Sequence, residues 1–290
     1  AVLWVFASLF LALCIVCFVR FRPTTVSFID IGQGDACLIR AGREGNVLID
    51  SGDEGSGTVL RNYFRLQNMR ELDAVFLSHF HADHVTGVME LMESGFPIKK
   101  IYIAAYTGTP ELEPLVLNLA AAPAAAPAAA PAAAPAAVTL AAGETVSCGD
   151  ARYEVLSPSR EIADDNLNNS SMILRMECKN TSFLFTGDIE ADASLILTAE
   201  SGDKLSCDVL KVPHHGGKSA AREELIRACD ADFAVISVAA DNTYHEPSDA
   251  MLYLLQKENT GIFRTDRDGT IVMTLGDSGI LNVRTMLGRR

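Results

Sequence analysis

Leu77-Ser78-His79-Phe80-His81-Ala82-Asp83-His84 is the stretch that decides how this chain is read. Three histidines and an aspartate fall within six residues, directly after the apolar run Ala74-Val75-Phe76-Leu77, which predicts a buried strand. An extended loop sends residues i and i+2 to the same side, so His79 and His81 can hold one cation together. Asp83 and His84 fall where the next helix begins and can face a second position nearby. Imidazole and carboxylate at this spacing suit zinc or a similar first-row divalent ion. A polar strand-to-helix turn needs one capping aspartate, not four ligand-type side chains. The stretch predicts a metal site.

Upstream, residues 25–31 (TVSFIDI) read as a strand, Gly32-Gln33-Gly34-Asp35 as a turn, and 36–39 as a second strand. A further glycine turn at 42–46 leads to Val47-Leu48-Ile49-Asp50, so the start is a β-meander. Asp50 ends a buried strand, where it is either an Asx-turn residue or a carboxylate placed to bond the histidine loop. Residues 58–67 carry apolar side chains at helical spacing. A second helix is expected over 82–94, stopped by Gly95 and Pro97, and a strand follows at 100–105.

Residues 119–137 are nearly all alanine, with proline at every fourth position from Pro123 to Pro135. A proline in each turn removes a helix donor and clashes with the turn before it, so this is an extended or irregular spacer without chemistry. Strands resume at 144–146, 152–156, 172–177 and 182–185. The last runs into Thr186-Gly187-Asp188, again an aspartate at the end of an apolar strand. Residues 208–212 form another strand, ending at Pro213-His214-His215-Gly216-Gly217. Adjacent histidines on a glycine-flanked loop point to ligand or acid/base roles. Helix is expected at 221–229 and 248–257, and strands at 233–238, 271–275 and 280–285. The loop 241–248 (DNTYHEPS) presents His245, either as a surface residue or as a substrate contact.

Residues 1–19 contain no charge and end at Arg20-Phe21-Arg22-Pro23. As a helix they would span about 29 Å, one bilayer core, so residues 1–22 are expected to be a transmembrane helix and 23–290 the soluble-type domain. With no initiating Met, the segment is expected to be the last span of something longer. A net charge of −13 over 290 residues argues against a broad basic grip on nucleic acid, but not against one local phosphate site backed by divalent cations. The seven scattered cysteines form no disulfide framework, and most are expected to be buried thiols.

Both halves of the domain read as strands followed by helix, with candidate ligands at strand ends. The expected architecture is α/β, two sheets face to face with helices outside, and a site where strand ends meet. Here a resemblance enters. HFHADH resembles the HxHxDH signature of the metallo-β-lactamase fold, an αββα sandwich, and Asp50, Asp188 and the His214-His215 pair follow in that superfamily's order. FIDIGQGDACLI, LIDSG, LSHFHADHVTG, LFTGD, LKVPHHGG, YHEPS and FRTDRDGTI together resemble the C-terminal domain of ComEC-type DNA-internalisation (competence) proteins and their free-standing relatives. The likeness covers residues 25–287 apart from the Ala/Pro insert.

The resemblance implies that His79 and His81 hold a first metal, Asp83 and His84 a second, with Asp188 bridging. His215 would complete the second site, leaving His214 to contact phosphate or protonate the leaving group, and Asp50 would orient the histidine loop. The superfamily usually supplies one more histidine before the TGD aspartate, but residues 164–171 (DDNLNNSS) contain none. Asn168 or Asn169 is the expected replacement, giving an oxygen-rich first site that is weaker and open to manganese as well as zinc. Two such cations acidify water for attack on phosphorus or a carbonyl, with His214 or His245 as general acid.

The implied function is a membrane-attached, metal-dependent phosphodiesterase, a nuclease acting on DNA during uptake, in association with a DNA-uptake channel. Two alternatives stand beside it: a hydrolase of cell-surface phosphocholine or another small phosphoester, and a non-catalytic DNA-transport scaffold. The family implies an extracytoplasmic domain, whereas Arg20 and Arg22 after the span favour the cytoplasmic side.

Overall fold

In the computed structural model, Trp4 and residues 23–104, 135–158 and 166–288 are described. The span expected over 1–19 lies, Trp4 apart, outside the described residues, as does the spacer up to residue 134. Among the described residues no helix is long and apolar enough to cross a membrane.

The first sheet begins with the expected meander, β1 (Thr24–Phe28), β2 (Cys37–Arg40) and β3 (Asn46–Ile49), paired antiparallel. Helix α1 (Ser56–Leu66) then crosses over to β4 (Ala74–Phe76), parallel to β3, and α2 (Ala82–Glu93) leads to β5 (Lys100–Ala104). Strand β6 (Ala136–Leu140) adds in parallel to β5, with Ala136 opposite Lys100. The spacer therefore ends two residues earlier than its composition suggests: Ala136 and Ala137 satisfy their backbone groups on a sheet edge.

The second sheet repeats the plan. Strands β7 (Thr145–Cys148), β8 (Ala151–Ser157), β9 (Ile173–Cys178) and β10 (Thr181–Phe185) pair antiparallel. Helix α3 (Ala191–Ser201) then leads to β11 (Val209–Lys211), α4 (Glu223–Cys229) to β12 (Phe233–Ile236), and α5 (Asp249–Lys257) to β13 (Gly261–Arg264), with β10 to β13 parallel. After a single helical turn at Thr265–Asp268, β14 (Ile271–Gly276) and β15 (Gly279–Thr285) return to the first sheet, where β14 pairs antiparallel with β1.

Three apolar layers hold these parts. Between the sheets, Phe76 stacks on Tyr102 at 4.7 Å and on Tyr153 of the facing sheet at 4.9 Å. Behind the first sheet lie Leu60 and Phe64 of α1 and Val88 and Leu91 of α2; behind the second lie Leu197, Leu225 and Met251 from α3, α4 and α5. Each helix buries one face, marked by an apolar stripe at helical spacing in α1 and α2 but not in α3, and the layers are α, β, β, α. Cys37, Cys178, Cys207 and Cys229 are buried free thiols, and Cys148 is a half-buried one.

Candidate metal centre

Parallel strands leave their C-terminal ends on one edge, and loops there carry the candidate residues of both sheets. Asp50 follows β3, the histidine loop follows β4, Asp188 follows β10, and His214 and His215 follow β11. Two backbone features press these loops together. A Cβ on Gly34 would meet the Asp83 carbonyl oxygen at 2.1 Å, and one on Gly187 would meet the Ser171 side chain at 2.7 Å. Asp50, His214 and His215 all adopt left-handed φ, near 53°, 46° and 50°. For non-glycine residues such φ values are costly, and they concentrate at functional sites.

Asp50 is buried and uses both oxygens on the histidine loop: Oδ1 accepts from the Ser78 N–H at 2.7 Å, and Oδ2 lies 3.0 Å from His84 Nδ1. Nδ1 thus carries the hydrogen, and His84 Nε2 is turned inward. There it lies 3.2 Å from Asp188 Oδ2 and 3.8 Å from Asp83 Oδ2. His215 is fixed in the same way from the second sheet. The Ser237 carbonyl accepts from its Nδ1 at 2.9 Å, and its Nε2 lies 3.2 Å from Asp83 Oδ2 and 3.4 Å from Asp188 Oδ2. Ligand atoms of Asp83, His84, Asp188 and His215 all lie within 4.8 Å of one another.

Three of these four distances fit a shared cation, and the fourth, His84 to Asp83 at 3.8 Å, is wider. Two ligand atoms each about 2.1 Å from one ion stand roughly 3.0–3.4 Å apart. Two further atoms support the fit: His84 Nε2 and Asp188 Oδ1 are buried without a hydrogen-bond partner among the described residues. Such orphans are rare unless an ion or water completes them. Since Asp188 Oδ2 belongs to the four-residue group, its unpartnered Oδ1 is free for a second position.

His79 and His81 stand outside that four-residue group; their Nε2 and Nδ1 face each other at 3.1 Å, and His81 lines the same cleft as Asp188. Ser78 Oγ and Ser171 Oγ lie 3.0 Å and 3.4 Å from the opposite edge of the His79 ring. The two asparagines separate here. Asn169 Oδ1 accepts from the Glu190 N–H at 3.0 Å. Asn168 Nδ2 donates to Glu190 Oε1 at 3.1 Å, leaving its buried Oδ1 unpartnered, and this residue lines the cleft.

Charge follows the same pattern. Burial disfavours the cationic form of His84 and His215, yet the surrounding carboxylates, Asp188 first, outweigh it and hold both pKa values well above the ordinary imidazole range. Burial likewise raises Asp188 and Asp83, but the facing histidines win and hold both carboxyls below their usual range. Burial, helped by His84, pushes His79 well down, so this ring is neutral. A buried cluster of carboxylates and imidazoles this close together attracts divalent cations, which would take the place of the protons on His84 and His215.

The cleft above the cluster has a volume of about 200 Å³ and is lined by Gln33, His81, Asp83, Asn168, Asp188, His214, His215, Tyr244 and Glu246. His214 lies 3.3 Å from Glu190 Oε1 and 3.2 Å from Ser219 Oγ. His245 is not brought to this cleft. It is exposed at φ 59°, while its neighbours Tyr244 and Glu246 face the site, because Asn242 braces the loop through Ala239 and Glu246. Sequence reasoning passed over Gln33, Asp35, Glu190, Lys211 and Glu246. Lys211 carried a visible signal, a lysine inside an apolar strand between Leu210 and Val212.

The fold and site together define a class. Residues 29–240 match the Metallo-beta-lactamase superfamily, and the chain belongs to that family, whose members are generally metal-dependent hydrolases. Within it, the chain is 31% identical over 264 residues to ComE operon protein 3 of Bacillus subtilis, covering 85% of this chain and 32% of that protein. It is 25% identical over 275 residues to Competence protein ComA of Neisseria gonorrhoeae, covering 91% of this chain and 35% of that protein. The chain thus spans about a third of the length of these relatives. Among solved structures, the metallo-β-lactamase fold protein YhfI from Bacillus subtilis superposes with a TM-score of 0.57 at 12% identity, over 87% of this chain and 99% of that one, which shows the shared fold.

Proposed function

We propose that this domain is a two-metal hydrolase of phosphodiesters, a nuclease acting in DNA uptake. The observation that carries this reading is the close group of Asp83, His84, Asp188 and His215, in which one imidazole nitrogen and one carboxylate oxygen are buried without a hydrogen-bond partner among the described residues. In this reading His79, His81 and Asn168 would hold the first cation, Asp83, His84 and His215 would hold the second, and Asp188 would serve both. Bound zinc or manganese supplies Lewis acidity, which brings the pKa of water toward neutrality and offsets charge developing on phosphate. The side chains do the rest. Asp50 fixes the His84 ring, and Ser237 fixes the tautomer of His215. His214, held between Glu190 and Ser219 at the cleft wall, is placed to return a proton to the leaving oxygen. Its position favours it over the exposed His245 as general acid.

The likeness to a competence protein supports a DNA-related role; DNA as the substrate and an uptake channel as the partner belong to this proposal. The uncharged run 1–19 supports membrane attachment, and an extracytoplasmic placement of the domain is part of the same proposal. A second reading, hydrolysis of a small phosphoester such as phosphocholine, is favoured by the small cleft and by the net charge of −13. Incubation of the purified chain with single-stranded DNA and with bis-p-nitrophenyl phosphate, in zinc and in manganese, separates them. Cleavage of both supports the nuclease. Cleavage of the small ester alone supports the second reading, and cleavage of neither refutes both.

A further inference from the structure

Directly behind His215 the sheet buries a lysine. Lys211, the last residue of β11, is 4% exposed, and its Nζ lies 2.8 Å from Asp35 Oδ2 and 2.9 Å from the Val212 carbonyl. Asp35 is 5% exposed. Its second oxygen, Oδ1, makes no hydrogen bond among the described residues and faces His215 Nδ1 at 3.5 Å. The Asp35 backbone N–H also donates to the Asp83 carbonyl at 3.2 Å, across the close approach that only Gly34 permits. One residue thus touches two of the four groups around the second cation position, from the side away from the cleft.

A fully buried ion pair is poor value for stability alone, since desolvation offsets most of its attraction and an apolar pair of equal volume packs as well. Its place against two candidate ligands gives it another use. Resting on the metal-centre reading, we propose that Lys211 and Asp35 are positioning residues for the second cation. Lys211 anchors the Asp35 carboxylate by Oδ2, and Oδ1 then forms, with the Ser237 carbonyl, an acceptor wall against the Nδ1 edge of His215. The ring can neither flip nor tilt, and Nε2 stays aimed between Asp83 and Asp188. Neither residue reaches the cleft, and neither touches substrate. Groups of this kind behind metal-binding histidines typically alter affinity by about 10- to 100-fold.

The test compares the full chain with the double variant Asp35→Leu/Lys211→Met, which removes both charges at similar volume. Zinc affinity at each site is measured by chelator competition, and folding by thermal unfolding. The expected result is a wild-type melting temperature within a few degrees, a second-site affinity lowered by about 10-fold or more, and an unchanged first site. If the double variant does not fold, the isosteric Asp35→Asn carries the decision by the same measurement, again with an expected loss at the second site alone. Wild-type second-site affinity in a folded variant overturns the positioning role, as does equal loss at both sites. A wild-type chain that binds no zinc or manganese refutes the metal-centre reading instead.

Discussion

The Nε2 atom of His215 lies 3.2 Å from Oδ2 of Asp83, although 132 residues separate them in sequence. The first sheet brings Asp83 in the first turn of α2 after β4, and the second brings His215 on the turn after β11, so the site exists only when both sheets are packed. Metal binding and folding are therefore linked, and a cation that binds only the native arrangement adds stability by mass action.

Asp50 should be the most sensitive supporting residue. Replacing it by Ala leaves the Ser78 N–H and the His84 Nδ1–H without their buried acceptor. The expected cost is about 1–3 kcal/mol in urea unfolding for the metal-free chain, with cation affinity lowered about 10- to 100-fold. Unchanged affinity would show that the His84 ring is held by packing alone.

The two asparagines should behave differently. Asn168 keeps a buried, unpartnered oxygen beside the cleft that His81 also lines, whereas Asn169 uses its oxygen on the Glu190 backbone. Asn168→His restores a nitrogen ligand there and should tighten zinc at the first site by about 10-fold or more in chelator competition. Asn169→Ala should lower stability by about 1 kcal/mol for the lost hydrogen bond, with a smaller effect on the metal. Equal effects from both would remove Asn168 from the site.

Away from the site, Glu154 accepts from Lys204 Nζ at 2.7 Å and lies 3.6 Å from Arg152. The Lys204 hydrogen bond chiefly holds its carboxyl below the ordinary glutamate range, against a smaller opposing effect of burial. A lowered folded-state pKa gives stability that is present above the ordinary value and lost as pH falls through the folded value. Glu154→Gln should therefore cost up to about 1 kcal/mol at neutral pH and progressively less below about pH 4, in urea unfolding at low salt. A difference from wild type that stays constant with pH would contradict this.

Much of the fold was legible because burial imposes periodicity. The meander, α1, α2 and the parallel strands β4, β5, β10, β11 and β12 follow it, whereas β6, hidden at the end of the Ala/Pro run, and β13 do not stand out; the candidate metal motif was legible because four of its residues are neighbours in sequence. Helix α3 was not, since Leu195 and Ile196 are about 40% exposed while Leu197 is buried, so its apolar residues mark no single face. Asp35 and Lys211 were hidden for another reason: Gly-Gln-Gly-Asp reads as an ordinary turn, and nothing local shows that the lysine of another sheet meets it. The different hydrogen bonding of Asn168 and Asn169 and the exposed position of His245 follow from backbone direction in short loops, which pattern does not encode.

The most direct test of the central claim is metal content, measured by mass spectrometry of the purified full chain after equilibration with zinc or manganese. The wild-type chain should hold about two ions, His81→Ala about one, and Asp188→Asn, which removes the shared carboxylate, fewer than one. An Asp188→Asn chain that folds and still carries the wild-type complement would contradict the shared two-metal centre.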